Sequence, residues 1–139
     1  MRLHDLYQQY HHQVEFLSIY IREAHPVDGW WLGKGVLGML VKRFSPKASI
    51  DLHDPKTIEE RRAAAGQCQK SLAYGIRTYV DEMDDAVNKA YAAWPTRLYL
   101  VGENGRVEFA AGLGPYDFRT SKLQRAIEQH LAEKELAAA

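Results

Sequence analysis

The sequence predicts an α/β domain with a mixed sheet, and three stretches carry that prediction. Val14 to Ile21 is a near-continuous apolar run rich in β-branched and aromatic residues, the pattern of a strand buried on both faces. Thr57-Ile-Glu-Glu60 fits a capping box, the hydroxyl taking one free amide and Glu60 reaching back, so a helix follows to about Leu72. Arg97–Val101 and Arg106–Ala111 flank Asn104-Gly105, the strongest short signal for a β-hairpin.

The remaining elements fall between these. Leu3, Leu6, Tyr7 and Tyr10 recur at spacings of three and four, which predicts a short amphipathic helix over residues 2–12. No capping residue precedes it, so the chain is read as beginning inside that helix. Residues 30–49, WWLGKGVLGMLVKRFSPKAS, mix apolar side chains with three glycines and several cations. They are read as an insert, at about 31–49, whose apolar side chains cover the end of the sheet. The other reading is a short basic helix making weak membrane contact through residues 30–44; the glycines and the modest length favour the cover.

Ile76–Val80 is a second short strand, and Asp81 or Asp84 caps a helix that runs through Tyr91-Ala92-Ala93. Tyr91 and Trp94 are assigned to the core. Trp94-Pro95-Thr96 interrupts the chain before the hairpin, and Gly112-Leu-Gly-Pro115 is a loop after it. Thr120 or Ser121 starts a last helix with Leu123, Ile127 and Leu131 on one face, and the tail ELAAA is expected to fray. The order is α-β-(insert)-α-β-α-β-β-α, with parallel crossovers first and helices on both faces. Strand, helix, then proline directly before a hairpin and a closing helix make up the second half of a thioredoxin-like fold.

The length of 139 residues suits a single domain over 1–139. Lys+Arg and Asp+Glu are equal at 18 each, which removes the electrostatic argument for a nucleic-acid partner. One cysteine, Cys68, can form neither an internal disulfide nor a cysteine-based metal site, and it reads as a small hydrophobe rather than a nucleophile. His4, His11 and His12 read as solvated residues of the first helix, and metal binding by His11, His12 and His25 lacks a fixed ligand spacing. No signal-peptide core or run of transmembrane length is present, so a cytoplasmic protein is expected.

The candidate site lies where the first strand breaks, at Glu23-Ala24-His25-Pro26. In an open α/β sheet, the carboxyl end of a buried strand is where sites are built. A carboxylate and an imidazole two residues apart could hold or move a proton there.

Three blocks resemble the iodothyronine deiodinase family, thioredoxin-fold selenoenzymes that remove iodine from thyroid hormones. They are FLSIYIREAHPVDGW (Phe16–Trp30), VDEMDDAVNKAYAAWPTRLYLV (Val80–Val101) and the Gly-x-Gly-Pro loop (Gly112–Pro115). The resemblance implies that Glu23 and His25 are catalytic, handling protons beside a selenocysteine as a carbon–iodine bond is cleaved reductively. It implies that His53 helps to grip the substrate and that Pro95 is the cis-proline these folds place against the redox residue. Leu113 stands where the family carries a hormone-binding arginine, and Trp30 belongs to the apolar cover of the same pocket. No bound cofactor is implied, only an external thiol reductant and a small-molecule or thiol substrate.

In that family a strand and a Cys/Ser-x-x-selenocysteine (or cysteine) loop precede the helix with which this chain begins, and neither is present in these residues. A selenocysteine codon is UGA, and reading it as a stop would place a start at the next methionine. The expectation is therefore an N-terminally truncated domain, inactive as given, with its first central strand missing. Its open strand edges predict poor stability, a homodimer, or direct pairing of Val14–Ile21 with Arg97–Val101. The competing function is a non-catalytic thioredoxin-like module that binds a ligand or partner.

Overall fold

The computed structural model describes residues 2–23, 53–72 and 75–138. The insert and, with it, residues 24–52 lie outside the described residues. The elements are α1 (Leu3–Tyr10), β1 (Leu17–Tyr20), α2 (Ile58–Leu72), β2 (Arg77–Val80), α3 (Ala86–Tyr91), β3 (Tyr99–Val101), β4 (Val107–Ala110) and α4 (Thr120–Ala138). The class is mixed α/β, as predicted. Among the described residues, however, the strands form two two-stranded sheets and not one mixed sheet: β1 pairs with β2 in parallel, and β3 with β4 antiparallel. The chain accordingly divides into two compact units, Leu17–Ala92 and the combination of Met1–Phe16 with Ala93–Ala139.

In the unit Leu17–Ala92, the capping box forms as predicted. The Glu60 amide donates to Thr57 Oγ1 at 3.2 Å, and the Thr57 amide donates to Glu60 Oε2 at 3.3 Å. Helix α2 packs on β2 and buries Ala64 and Ala65. Its Arg61 is only 4% exposed, its Nη1 donating to the carbonyls of Asp81 and Glu82 and to Asp85 Oδ1. The N-cap of the next helix is Asp85, not Asp81 or Asp84, but the buried Asp81 carboxylate accepts the amides of Glu82, Val87 and Asn88.

The expectation of a first strand buried on both faces is corrected. Leu17 and Ile19 are exposed, and so is Tyr79, the register partner of Ile19. Along β2 the half-buried Thr78 and Val80 alternate with the exposed Arg77 and Tyr79, so only one face of that strand is covered. Tyr91 is likewise exposed and not core, because α3 is six residues long and buries none of them.

In the other unit, the core joins Leu6 and Tyr10 of α1 to Leu100 of β3 and to Leu123 and Ile127 of α4. The spacing of four between Leu123 and Ile127 puts both on the buried face, as the pattern predicted. Tyr10 Oη adds a bond to Glu128 Oε1 at 2.9 Å. Arg2 is extended and caps α1, with Asp5 Oδ2 accepting the Arg2 amide at 2.8 Å, so the helix does have an N-cap. The Asn-Gly turn closes the hairpin, with Gly105 at φ 75°, a conformation open to glycine at no steric cost. Trp94 is 43% exposed, against its assignment to the core. The tail does not fray: α4 runs to Ala138, since Ala, Glu and Leu all favour a helix.

Candidate functional site

In the unit Leu17–Ala92, β1 ends at Tyr20 and Glu23 follows three residues later. Their side chains meet: Tyr20 Oη donates to Glu23 Oε2 at 2.7 Å, a short bond to a charged acceptor. Burial pushes the Tyr20 phenol well above its ordinary range, and the Glu23 hydrogen bond and charge push it further. Tyr20 is therefore a permanent donor at physiological pH. The Glu23 carboxylate is held at the strand end with one oxygen engaged by a hydroxyl.

Cys68, on α2, feels the same carboxylate. Its thiol is pushed up first by burial and then by the Glu23 charge, so at neutral pH it is a thiol and not a thiolate. Attack on an electrophile needs the thiolate, and this environment works against it. His53 lies in the same unit, exposed, before the buried Pro55 and a pair between Lys56 Nζ and Asp54 Oδ2 at 3.0 Å. His25 and Trp30 lie outside the described residues.

In the other unit, the chain brings the Pro95 segment and the Leu113 loop together. Trp94–Pro95 is cis, as predicted, and Gly114–Pro115 is cis as well. The Gly114 amide donates to the Thr96 carbonyl at 2.9 Å, and a Cβ at Gly114 would overlap the Thr96 side chain. Arg97 Nε donates to the Ala111 carbonyl at 2.6 Å, and its guanidinium lies 5.4 Å from the Tyr99 ring centroid. The loop thus lies against the residues that follow Pro95, with Leu113 exposed.

Two contributors were missed in the sequence. Tyr20 was read only as part of an apolar run; its spacing of three from Glu23 was the available signal. Asp117 is not singled out by the sequence analysis, yet its Oδ2 accepts the Gly112 amide at 3.0 Å. Among the described residues, no group of three or more His, Cys, Asp or Glu side chains could hold a metal ion, and no helix is long and apolar enough to cross a membrane.

A family model described as iodothyronine deiodinase matches residues 2–131. The chain is similar to thyroxine 5-deiodinase of Sparus aurata, 35% identical over 88% of this chain and 40% of that protein. It is also similar to the thyroxine 5-deiodinases of Aquarana catesbeiana (32% identical, covering 84% and 38%) and Homo sapiens (34% identical, covering 90% and 36%). The chain therefore spans well under half the length of these curated relatives.

Proposed function

Because this chain belongs to the iodothyronine deiodinase family, we propose that it is the thioredoxin-like part of a thiol- or selenol-dependent oxidoreductase that removes iodine from an iodinated aromatic small molecule. Glu23 and His25 form the supporting half of the site. The nucleophile, a selenol or thiol, is not assigned to any of these residues, since burial and the Glu23 charge both raise the thiol of Cys68, the one cysteine among them. In the reaction, the selenolate or thiolate attacks iodine, the carbon–iodine bond breaks, and the ring carbon takes up a proton. Two molecules of an external thiol then reduce the chalcogen–iodine bond, leaving as a disulfide and releasing iodide.

The observation that carries this reading is the Tyr20–Glu23 hydrogen bond at the end of β1. A carboxylate oriented by a phenol that does not ionise can pass a proton without losing its place. The raised Cys68 thiol supports the same division of labour, since the chain's one cysteine is poorly suited to attack. Substrate-binding roles for His53, Pro95, Trp30 and Leu113 are carried over from the family resemblance alone. Leu113 supplies an apolar contact where a cation would select a carboxylate, so an iodinated phenol suits the loop. The same reading carries a single domain in the cytoplasm, no nucleic-acid partner, no bound cofactor, and a homodimer through open strand edges.

The test is iodide release from thyroxine and from an iodophenol by the full-length protein, with dithiothreitol as reductant. Turnover is expected, falling roughly 10²–10⁴-fold in Glu23→Ala or His25→Ala, the range for loss of a proton-transfer group. Undiminished turnover in both variants removes the assigned roles. Saturable thyroxine binding with no turnover leaves the non-catalytic binding module instead.

A further inference from the structure

We infer that Asp117 is a positioning residue that latches the Gly112–Pro115 loop and so sets the face Leu113 presents to a ligand. The inference rests on the reading above that this loop faces the substrate. The backbone on both sides of Leu113 is tied down, and by different groups. Before it, the Gly112 amide donates to Asp117 Oδ2 at 3.0 Å; after it, the Gly114 amide donates to the Thr96 carbonyl at 2.9 Å. The Asp117 amide also returns a bond to the Leu113 carbonyl at 3.1 Å, so Asp117 holds the loop in both directions.

The two glycines are what let these ties close. A Cβ at Gly112 would overlap the Asp117 carboxylate, and one at Gly114 would overlap the Thr96 side chain. The carboxylate is itself anchored from the start of α4: Lys122 Nζ bonds Asp117 Oδ1 at 2.7 Å, and Arg119 Nε stands 3.6 Å away. Lys122 holds the Asp117 carboxyl below its ordinary value, so it stays ionised and a strong acceptor for the Gly112 amide. What remains unrestrained is the Leu113 side chain, 49% exposed on a backbone fixed one residue to either side. An apolar contact displayed on a held loop binds with less ordering cost than the same contact on a loose one.

The test compares Asp117→Ala and Asp117→Asn in the 139-residue chain, by amide hydrogen exchange and by binding of an iodophenol. Asparagine keeps an acceptor oxygen for Gly112 and loses the charge. In Asp117→Ala, protection of the Gly112 amide is expected to fall roughly tenfold to a hundredfold, the worth of a bond to a charged acceptor. The amides of β3, β4 and α4 should keep theirs, and Asp117→Asn should retain most of the Gly112 protection. Iodophenol binding should weaken several-fold in Asp117→Ala and recover in Asp117→Asn. Unchanged Gly112 exchange overturns the proposal, and so does an equal loss across hairpin and helix, or unaltered iodophenol affinity once protection is lost. If the unsubstituted chain does not bind the iodophenol, the functional reading falls, and Gly112 exchange still decides whether Asp117 latches the loop.

Discussion

Replacing Asp81 with alanine removes one buried carboxylate and leaves three amides without their acceptor. Asp81 is 2% exposed; its Oδ1 takes the amides of Glu82 and Val87, both at 3.0 Å, and its Oδ2 takes that of Asn88 at 2.8 Å. A donor stranded by loss of its partner costs about 1–3 kcal/mol when buried. Glu82 is exposed and Val87 and Asn88 are half-buried, so water replaces part of the loss. The expected destabilisation is therefore about 3–5 kcal/mol, a large share of a margin of about 5–15 kcal/mol. Asparagine separates the causes. With its oxygen at the Oδ1 position it keeps two of the three bonds and turns an amino group toward the Asn88 amide, at a cost of about 1–3 kcal/mol. Urea unfolding read by circular dichroism gives the order native, Asp81→Asn, Asp81→Ala. Equal losses in the two variants, or a loss below about 1 kcal/mol in Asp81→Ala, would refute the reasoning.

Two further outcomes follow from the same structure. The carboxyls of Asp117 and Glu103 are both held low, by Lys122 and Lys134 respectively. A carboxyl lower in the folded than in the unfolded state stabilises above its unfolded pKa and loses that contribution as pH falls through the folded one. The melting temperature should accordingly drop below about pH 4, the ordinary carboxylate range, and less steeply in a Lys122→Met, Lys134→Met double variant; identical acid profiles would count against these pairs. Cys68 should react slowly with iodoacetamide at pH 8, because burial and the Glu23 charge both raise its thiol. Glu23→Gln should speed that reaction, and an unchanged rate would show that the carboxylate does not act on Cys68.

Where a feature depends on residues a few positions apart, the sequence was enough. The capping box at Thr57 and Glu60, the turn at Asn104-Gly105 and the buried spacing of Leu123 and Ile127 are all set by local geometry, and all stand as read. Glu23 was legible as a site candidate because strand ends in α/β folds collect such residues, and the family blocks located it further. Arg61 was not legible, since a cation on a helix reads as a solvated face. Only the approach of the Asp81–Asp85 turn makes it a buried donor to two carbonyls and a carboxylate. The exposure of Leu17, Ile19, Tyr91 and Trp94 was illegible for a related reason. Apolar character states what a side chain favours, while burial depends on a neighbour from elsewhere in the chain.

The sequence by itself therefore determined the element order, the capping box, the hairpin and the family, because these follow from short-range patterns and from whole-chain similarity. Tertiary structure alone decided that Tyr20 holds Glu23, that Glu23 raises Cys68, and that Asp117 closes on Gly112. Each depends on where groups from different positions of the chain stand in space. Hydrogen-bond strength depends on distance and angle, and no spacing along the chain specifies either.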